Sequence, residues 1–509
     1  MQKKDFQNWS KEKLLHEYKE LSKRKKFGIV WEDKTEEVAE QCKTHLPVLR
    51  EEKKKVISTD KNVVNHVFIE GDNYHALSVL NYTHKREIDV IYIDPPYNTG
   101  SRSWKYNNNY VEKEDRYRHS KWLSFMSKRL RLARNLLTDR GVIVVAIDDY
   151  EQHTLRALMD ELYGEQNRLG TIVVVHNPRG RNDDKYFATM HEYLLVYAKN
   201  KDLAVVKHFA FTEEDIDEFR KEDDISAYNE TSFMRTGNNS DRPTRPNLYY
   251  PIYFNKRTQE LSLKNLKGFI KLLPINEKGE EKTWRWGKET FLEKWQTELL
   301  VREVKGKYRI FKKRRIIDLQ GRKPKTVWYK PRYDASSSGI TILNNILGNK
   351  HGFPYPKSLY AVEDILEILS YKDSTILDFF AGSGTTGQAV LDLNKKDNGA
   401  RRFIICTDNS DNNGGGTKIA EDICYPRVKR VIEGYSINGK KITGLGGNLR
   451  YYSTELVGNV KTDNDKRIFT SRCTEMLCLA EGTFDEVASK KGAFVLYENP
   501  AQMTGIIYE

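Results

Sequence analysis

The chain has 509 residues, of which 38% are hydrophobic and 31% charged, and its formal net charge of +13 at pH 7 favours a polyanionic partner. No stretch approaches the roughly 18 apolar residues of a membrane span, and the N-terminus lacks the apolar core of a signal peptide, so we expect a cytoplasmic protein with no membrane contact. The five cysteines show no C-x-x-C spacing, so we expect neither a disulfide framework nor a metal site.

The first 60 residues are rich in charge and contain one helical apolar face, formed by Leu14, Leu15, Tyr18 and Leu21. They hold too few apolar residues for a core of their own. We therefore predict a helical, basic N-terminal extension over residues 1–60 that packs on the main body or on another subunit.

Over residues 61–199 short apolar runs alternate with helical patterns, which is typical of a doubly wound α/β sheet. Between the second and third runs, Trp122, Met126, Leu130 and Ala133 recur at steps of three and four residues, which predicts one amphipathic helix. This first segment contains five candidate strands, at residues 64–69, 90–93, 142–147, 171–175 and 193–197.

Residues 200–350 lose this alternation and are rich in Arg, Lys, Asn and aromatic residues. We interpret them as a separate binding domain inserted into the sheet. Arg and Lys suit phosphates and guanine edges, and Asn suits adenine. A solvated basic face is an equally good interpretation of any one of these residues. The candidate DNA-binding residues are Arg235, Asn238, Asn239, Arg242, Arg245, Lys312, Lys313, Arg314 and Arg315.

The α/β pattern resumes over residues 351–410, with a helix near 359–370 and candidate strands at 375–377 and 403–406. Seven candidate strands therefore lie on both sides of the insert, and we predict one interrupted sheet. Residues 411–509 contain a glycine-rich link, a basic helix and a mixed segment that we interpret as a C-terminal α+β region.

Two motifs follow predicted strands. In IDPPYNTG, the prolines fix two φ angles and remove two donors, so Asp94, Pro95, Pro96 and Tyr97 form a stiff platform after the strand. In DFFAGSGTTG, a glycine turn after a strand precedes a helix, which is where a nucleotide-like cofactor lies in such folds. The turn lacks the G-K-[ST] ending of a phosphate-binding loop.

Four aspartates, Asp72, Asp94, Asp378 and Asp408, each follow a candidate strand. A carboxylate in this position can accept hydrogen bonds from ribose hydroxyls. A single strand-end aspartate is more often a helix cap. Four of them at one sheet edge favour a binding site more strongly than any one does.

DPPYNTG followed by FAGSGTT, in that order, resembles the β-group of DNA amino-methyltransferases, which methylate adenine N6 with S-adenosyl-L-methionine. FGIVWED, IEGDNYHALSVL, HEYLLVYAKN and GNLRYY more specifically resemble the modification subunit of type III restriction-modification systems. The resemblance covers nearly the whole chain from Phe27. It implies a circularly permuted, Rossmann-like methyltransferase fold with a mostly parallel seven-stranded sheet and an inserted target-recognition domain. It also implies double-stranded DNA as substrate, a homodimer and a restriction subunit as partner.

Carried over to this sequence, the resemblance makes Asp94, Pro95, Pro96 and Tyr97 the catalytic motif. Lys357 matches the segment upstream of the glycine turn, where Ser358 replaces the usual proline. The implied cofactor-binding residues are Asp72, Lys357, Asp378, Phe380, Ala381, Gly382, Ser383, Gly384, Thr385 and Asp408.

The implied chemistry requires that adenine leave the base stack, because N6 is inaccessible inside a duplex. Asp94 and the Pro95 carbonyl would accept the two N6 hydrogens and localise the nitrogen lone pair. The ring of Tyr97 would stack on the flipped base.

Two other interpretations remain. The chain could be a catalytically silent recognition or assembly subunit, which the presence of both motifs disfavours. It could also be an orphan or type II methyltransferase, or act on cytosine N4, RNA or protein glutamine. By resemblance, Asp94 argues against cytosine and glutamine, since those enzymes tend to carry Ser or Asn there.

Overall fold

The computed structural model describes residues 10–11, 15, 31–60, 63–100, 104–106, 109–181, 184–409, 416–458, 460, 462–490 and 493–508. Of the predicted N-terminal apolar face, Leu14, Tyr18 and Leu21 lie outside these residues, and Leu15 is exposed. The chain forms two compact units. The larger unit comprises the described residues of Met1–Lys207 and Lys325–Glu509, and the insert unit is His208–Pro324.

The elements are numbered in chain order. Those before the insert unit are α1 Glu37–Gln41, β1 Leu46–Glu51, β2 Asn65–Glu70, α2 Asn73–Thr83, β3 Ile88–Ile93, β4 Lys105–Tyr106, β5 Asn109–Tyr110, α3 Arg118–Leu136, β6 Leu137–Ile147, α4 Gln152–Met159, β7 Arg168–Val175 and β8 His191–Ala198. Those of the insert unit are α5 Glu213–Asp217, β9 Lys221–Glu222, β10 Ala227–Ser232, β11 Ile252–Phe254, β12 Leu261–Ser262, β13 Ile270–Leu272, α6 Lys288–Glu298, β14 Leu299–Val304 and β15 Lys307–Arg315.

The elements after the insert unit complete the larger unit. They are β16 Val327–Trp328, α7 Thr341–Leu347, α8 Leu359–Leu369, β17 Thr375–Asp378, α9 Thr385–Asp397, β18 Arg402–Thr407, α10 Tyr425–Glu433, β19 Gly434–Ile437, β20 Lys440–Thr443, β21 Asn448–Val457, α11 Asp463–Glu481, β22 Asp485–Lys490, β23 Phe494–Glu498 and β24 Met503–Ile507.

The larger unit is built on a ten-stranded sheet with the strand order β1-β21-β2-β18-β17-β3-β6-β8-β7-β16. The seven predicted strands form its contiguous run from β2 to β7. Pairing is parallel from β21 to β6, and β8 pairs antiparallel with both β6 and β7. β17 therefore lies beside β3, which places the two sequence motifs next to each other. The predicted interrupted, mostly parallel α/β sheet is confirmed.

Three more strands extend the sheet beyond the prediction. β1 comes from the predicted N-terminal extension and pairs antiparallel with β21, which comes from the predicted C-terminal region. β16 comes from the predicted insert and pairs in parallel with β7. Each of these strands lies outside the run of predicted strands.

The core forms because the parallel strands are covered on both faces and are therefore almost continuously apolar. Five of the six residues of β3 are buried. The predicted amphipathic helix is α3, and its Trp122, Met126, Leu130 and Ala133 are buried in the same cluster as Ile91 of β3. The helix thus covers one part of the sheet with its apolar face, as the spacing predicts.

The insert unit has a hydrophobic core of its own, in which Phe233, Tyr250, Phe254, Trp284 and Phe291 are buried. Its ends differ from the predicted 200–350. Residues 200–207 and 325–350 belong to the larger unit. These segments belong to the larger unit because they form hydrogen bonds with it. β16 pairs with β7, Lys207 N donates to the Ile368 carbonyl, and Ala335 N donates to the His176 carbonyl.

Within the described residues no helix is long and apolar enough to cross a membrane. In the same part of the chain no group of three or more His, Cys, Asp or Glu side chains is placed to hold a metal ion.

Candidate active site

Asp94 emerges at the carboxyl edge of the sheet. It directly follows β3, which pairs in parallel with β17 on one side and β6 on the other. In α/β sheets this edge is where ligands bind. The Trp122 indole N–H donates to the Pro96 carbonyl at 2.7 Å, so the second proline of the platform is held by α3.

The platform is also anchored from the residue after Tyr97. Asn98 has a positive φ of 55° and is fully buried. Its amide group donates to Glu151 Oε1 at 2.5 Å, and the Trp104 indole N–H donates to its Oδ1 at 3.1 Å. Glu151 is itself fully buried and lies 2.6 Å from His119 Nδ1. Sequence analysis missed these supporting residues, because side chains far apart in the chain meet only in the folded structure.

A buried ion-pair cluster joins the platform to Lys357. The Lys357 ammonium lies 3.2 Å from Asp94 Oδ1 and 2.5 Å from Glu192 Oε2, and it also donates to the Tyr97 hydroxyl. The Tyr97 hydroxyl in turn donates to Glu192 Oε2 at 3.0 Å. The ammonium is 4.5 Å from the centroid of the Tyr97 ring. Glu192 was not predicted, although it is the second residue of β8 and lies within the HEYLLVYAKN segment quoted above.

Burial and charge act in opposite directions on this cluster. Burial raises the pKa of Asp94, and the positive charge of Lys357 opposes that rise without cancelling it. For Glu192 burial also acts upward, but Lys357 and its hydrogen bonds hold the pKa below the ordinary value. The pKa of Lys357 is raised because two carboxylates outweigh its own burial. The cluster therefore keeps a charged ammonium beside two carboxylates in a largely buried place.

The glycine turn follows β17, and the helix predicted after the turn is α9, which begins at Thr385. Gly382 and Gly384 have φ values of 49° and 81°, in the left-handed region that favours glycine. A Cβ on Gly384 would lie 3.0 Å from Cys424 Sγ, and one on Gly382 would lie 3.4 Å from the Phe353 ring. Both glycines are therefore required by backbone conformation, and Gly384 by close packing as well.

Asp378 ends β17 and is 2% exposed. Its Oδ1 accepts from Phe380 N at 2.9 Å, and its Oδ2 accepts from Thr386 Oγ1 at 2.5 Å. Burial raises the pKa of Asp378 to about 7, with a further contribution from the charge of Asp94, against these two hydrogen bonds. The carboxyl group thus fixes the start of the turn.

Asp72 has a helix-capping role. Its Oδ1 accepts from Tyr74 N at 2.7 Å at the start of α2, and it lies 3.5 Å from an Arg129 guanidinium nitrogen. Asp408 follows β18, which pairs in parallel with β2. The two predicted carboxylates therefore lie at the ends of neighbouring strands.

Cys406 of β18 lies near several of the predicted cofactor carboxylates. Burial raises the pKa of its thiol well above the ordinary range, and the negative charges of Asp72, Asp408 and Asp378 add to that rise. The Ala381 N–H donates to the Cys406 carbonyl at 3.1 Å, which ties the glycine turn to β18. The structure thus gathers three of the predicted cofactor residues around the end of one strand.

Arg427 of α10 supports the turn and was not predicted. It is fully buried, and it donates to Ser383 Oγ at 3.0 Å, Thr385 Oγ1 at 2.8 Å and Gln388 Oε1 at 3.0 Å. Burial lowers the pKa of Arg427 to about 10. In the sequence it belongs to a basic helix, with no feature that distinguishes it from a surface arginine.

The predicted DNA-binding residues differ in availability. Asn238, Asn239, Arg242, Arg245 and Arg314 are exposed, and Arg235 and Lys312 are partly exposed. Arg242 pairs with Glu281 at 2.9 Å.

Arg315 is 2% exposed, and its guanidinium group pairs with Asp223 at 2.6 Å and Glu298 at 2.8 Å. Lys313 pairs with the same Asp223 at 2.6 Å. The interpretation of Arg315 as a DNA contact is therefore corrected: it is a structural residue of the insert unit, because its donors are already used inside the fold.

A family model described as DNA methylase, for N6 and N4 methyltransferases, matches residues 88–414. This stretch includes both motifs and the whole insert unit. The chain belongs to this DNA methylase family.

The sequence is also similar to three individual proteins. The chain is 36% identical over 376 residues to the type III restriction-modification enzyme EcoPI Mod subunit of Escherichia phage P1, covering 68% of this chain and 57% of the relative. It is 36% identical over 344 residues to the type II methyltransferase M.KpnI of Klebsiella pneumoniae, covering 67% and 79%. It is 29% identical over 418 residues to the StyLTI Mod subunit of Salmonella typhimurium, covering 74% and 58%. The chain thus spans less than two thirds of the length of either Mod subunit.

Proposed function

We propose that the protein transfers a methyl group from S-adenosyl-L-methionine to N6 of an adenine flipped out of double-stranded DNA. The observation that carries the proposal is the position of Asp94. This carboxylate follows the middle one of three parallel strands, beside the glycine turn, and it is held by Lys357 at 3.2 Å. Membership of the DNA methylase family supports the same reaction class.

Asp94 and the platform would act on the amino group of adenine. The lone pair of N6 is delocalised into the ring, so a carboxylate that accepts one N6–H makes the nitrogen more nucleophilic. The new N–C bond would form as the bond from the methyl carbon to the cofactor sulfur breaks, with its electron pair left on sulfur. N6 must then lose one proton, and Asp94 is placed to take it. Burial raises the pKa of Asp94, which makes it a better proton acceptor than an exposed aspartate. Holding the reacting groups in place can lower the barrier by roughly 7 to 11 kcal/mol in favourable cases.

The residues around the turn suit the cofactor. The left-handed glycines let the backbone turn closely after β17, and the carboxylates of Asp72 and Asp408 can accept hydrogen bonds from amino and hydroxyl groups. Gly382 and Gly384 would hold the methionine part, Asp408 the ribose and Asp72 the adenine. When bound, S-adenosyl-L-methionine supplies a methyl group on a positively charged sulfur, which is a good electrophile.

The test is a pair of substitutions at Asp94. Asp94→Ala removes the acceptor, so we expect methyl transfer to fall below detection while DNA binding and cofactor binding persist. Asp94→Asn keeps one acceptor oxygen but cannot take a proton, so we expect residual activity between wild type and Asp94→Ala. Single-turnover methylation and calorimetry measure both properties. An active Asp94→Ala variant would contradict the proposal.

We further propose that the protein is the modification subunit of a type III system, acts as a homodimer and associates with a restriction subunit. The names of the EcoPI and StyLTI Mod relatives support the first of these. Light scattering of the purified protein should give the mass of a dimer, and a monomer at working concentration would contradict the dimer.

A further inference from the structure

Two adjacent aromatic side chains between β7 and β8 are almost fully exposed. Phe187 is 89% exposed, the highest value for a large hydrophobic residue in the described part of the chain, and Tyr186 is 79% exposed. Single exposed apolar side chains are common on protein surfaces. Two adjacent exposed aromatic side chains are less common, because contiguous exposed apolar surface usually marks an interaction site.

Hydrogen bonds join the described residues of the two arms of the loop that carries this pair. Asn177 N donates to the Met190 carbonyl at 3.0 Å, and Arg181 N donates to the Thr189 carbonyl at 3.2 Å, so the two arms stay paired beyond the strands. Asp184 Oδ2 accepts from Thr189 N at 2.7 Å and closes the end. Lys185, Tyr186 and Phe187, which lie between Asp184 and Thr189, are exposed.

The aromatic pair is accompanied by exposed cations. Arg179, Arg181 and Lys185 are exposed, and the Lys185 ammonium is 5.2 Å from the centroid of the Tyr186 ring. The neighbouring Asp184 is engaged with Thr189. Cations beside aromatic rings are the combination that binds the backbone and the bases of nucleic acids.

The loop leaves the sheet beside the candidate active site. Val175, the last residue of β7, is the register partner of His191, the first residue of β8. The next residue, Glu192, binds Lys357 and Tyr97. Phe187 lies five positions before Glu192 in the chain, so their Cα atoms are at most about 18 Å apart. Asp94 follows β3 at the same edge of the sheet, so a duplex that delivers an adenine to Asp94 would pass the edge from which this loop extends.

We propose that Phe187, supported by Tyr186, enters the DNA base stack at the position vacated by the flipped adenine, while Arg179, Arg181 and Lys185 contact the flanking phosphates. Apolar side chains inserted between bases are a known way to stabilise a distorted duplex. We call the Phe187 side chain in this position the wedge. It favours the flipped state because its ring replaces the stacking that the extruded base gives up. This inference rests on the proposed function, since it needs a flipped base.

The experiment uses the full-length protein, S-adenosyl-L-methionine and duplexes that carry the methylation site mapped on genomic DNA. Phe187→Ala and the double variant Tyr186→Ala/Phe187→Ala are compared with Tyr82→Ala, a matched control. Tyr82 is 73% exposed near the end of α2, a helix that starts at the carboxyl edge of the sheet and runs away from it. All the replaced side chains are exposed, so we expect the variants to fold.

We expect Phe187→Ala to lower the single-turnover rate on a fully paired duplex by about tenfold to a hundredfold. A mismatch opposite the target adenine weakens the pairing that the wedge must overcome, so it should restore most of the rate. Cofactor affinity and the Tyr82→Ala rate should not change. 2-Aminopurine at the target position should show reduced fluorescence enhancement with the Phe187→Ala variant.

An unchanged rate for the double variant would overturn the wedge, and so would an equal loss on paired and mismatched duplexes. The second result would assign the loop to general DNA binding. An unaffected double variant that lost binding to another protein instead would assign the pair to a protein interface and also overturn the wedge. Absence of wild-type methylation on every duplex would contradict the proposed function itself, whereas an active wild type isolates the failure to this inference.

Discussion

The Lys357 ammonium bonds to two carboxylates and a phenol at once. Removing either carboxylate from water costs free energy that the ammonium offsets. Lys357 thereby favours the ionised form of Asp94, the form that can accept a hydrogen bond from adenine N6. Lys357 was predicted from resemblance to bind the cofactor. Its contact with Asp94 at 3.2 Å adds a second role, in the charge state of the proposed catalytic motif.

The pH dependence of methylation should therefore depend on Lys357. In Lys357→Met the positive charge is lost, so the pKa of Asp94 rises further and a higher pH is needed to ionise it. The acidic limb of the single-turnover pH–rate profile should move to higher pH. Lys357→Arg retains the charge and should leave the limb near its wild-type position. An acidic limb that stays in place in Lys357→Met would contradict control of Asp94 by this charge.

Two substitutions of Tyr97 distinguish the role of its ring from the role of its hydroxyl. In Tyr97→Phe the stacking face is kept, and Glu192 and Lys357 remain paired at 2.5 Å, so much of the activity should persist. In Tyr97→Ala the stacking energy of roughly 1 to 3 kcal/mol is lost, and the methylation rate should fall about tenfold to a hundredfold or more. Equal inactivity of the two variants would show that the hydroxyl, and not the ring, performs the essential step.

The residue scale shows where sequence analysis succeeded and where it failed. Asp94 and the glycine turn could be proposed as site residues from the sequence because each motif is local, with a rigid or glycine-rich segment directly after a strand. Glu192, Glu151 and Arg427 were missed because their partners lie far away in the chain, and a charged residue in the sequence does not reveal whether it will be buried and paired.

At the scale of elements, parallel strands gather carboxylates at one edge. β2, β18, β17, β3 and β6 are successive parallel neighbours. The aspartates at or just after the ends of the first four strands therefore lie at one edge of the sheet, although they are distant in the chain. Asp378 is buried at this edge and lies near Asp94, so both burial and the charge of Asp94 raise its pKa. A buried carboxyl group with a raised pKa makes the free energy of unfolding depend on pH.

We expect Asp378 to make folding depend on pH. Its folded-state pKa of about 7 lies above the ordinary 3.8, so its contribution to stability is fully present below pH 3.8 and is lost as pH rises through 7. Relative to Asp378→Asn, the wild-type free energy of unfolding should fall by about 4 kcal/mol across this window. Urea denaturation of both proteins at several pH values measures the difference. Parallel pH dependences would contradict the assigned ionisation.

The strands also show the limit of periodicity. The seven predicted strands stand out as mainly apolar runs, because the centre of a parallel sheet is covered on both faces. β1 and β21 come from segments that are polar in part and lie at one side of the sheet, and β16 has only two residues. Such strands are defined by the partner they pair with, which a sequence pattern does not contain.

At the scale of the whole molecule, the insert unit is a compact body with its own aromatic core. The ion pairs of Arg315 and Lys313 within it show that part of its basic character serves folding. The exposed Asn238, Asn239, Arg245 and Arg314 remain predicted DNA contacts. The overall excess of basic residues could be predicted from composition, but the division into structural and available cations could not.

Target choice should move with the insert unit. Exchanging residues 208–324 for the matching segment of a related enzyme with another recognition sequence should transfer that sequence, because these residues fold on a core of their own. Cofactor affinity, measured by calorimetry, should stay the same because the glycine turn is outside the exchanged segment. Methylation that continues at the original sequence would place target reading elsewhere in the chain.

The central claim is adenine-N6 methylation of DNA, and base-resolution mapping tests it most directly. Unmethylated genomic DNA is incubated with the purified protein and S-adenosyl-L-methionine, with Asp94→Ala as the matched control. We predict N6-methyladenine at one short recurring sequence with the wild type and none with Asp94→Ala. Methylation confined to cytosine, or modification at the same sites with Asp94→Ala, would contradict the claim.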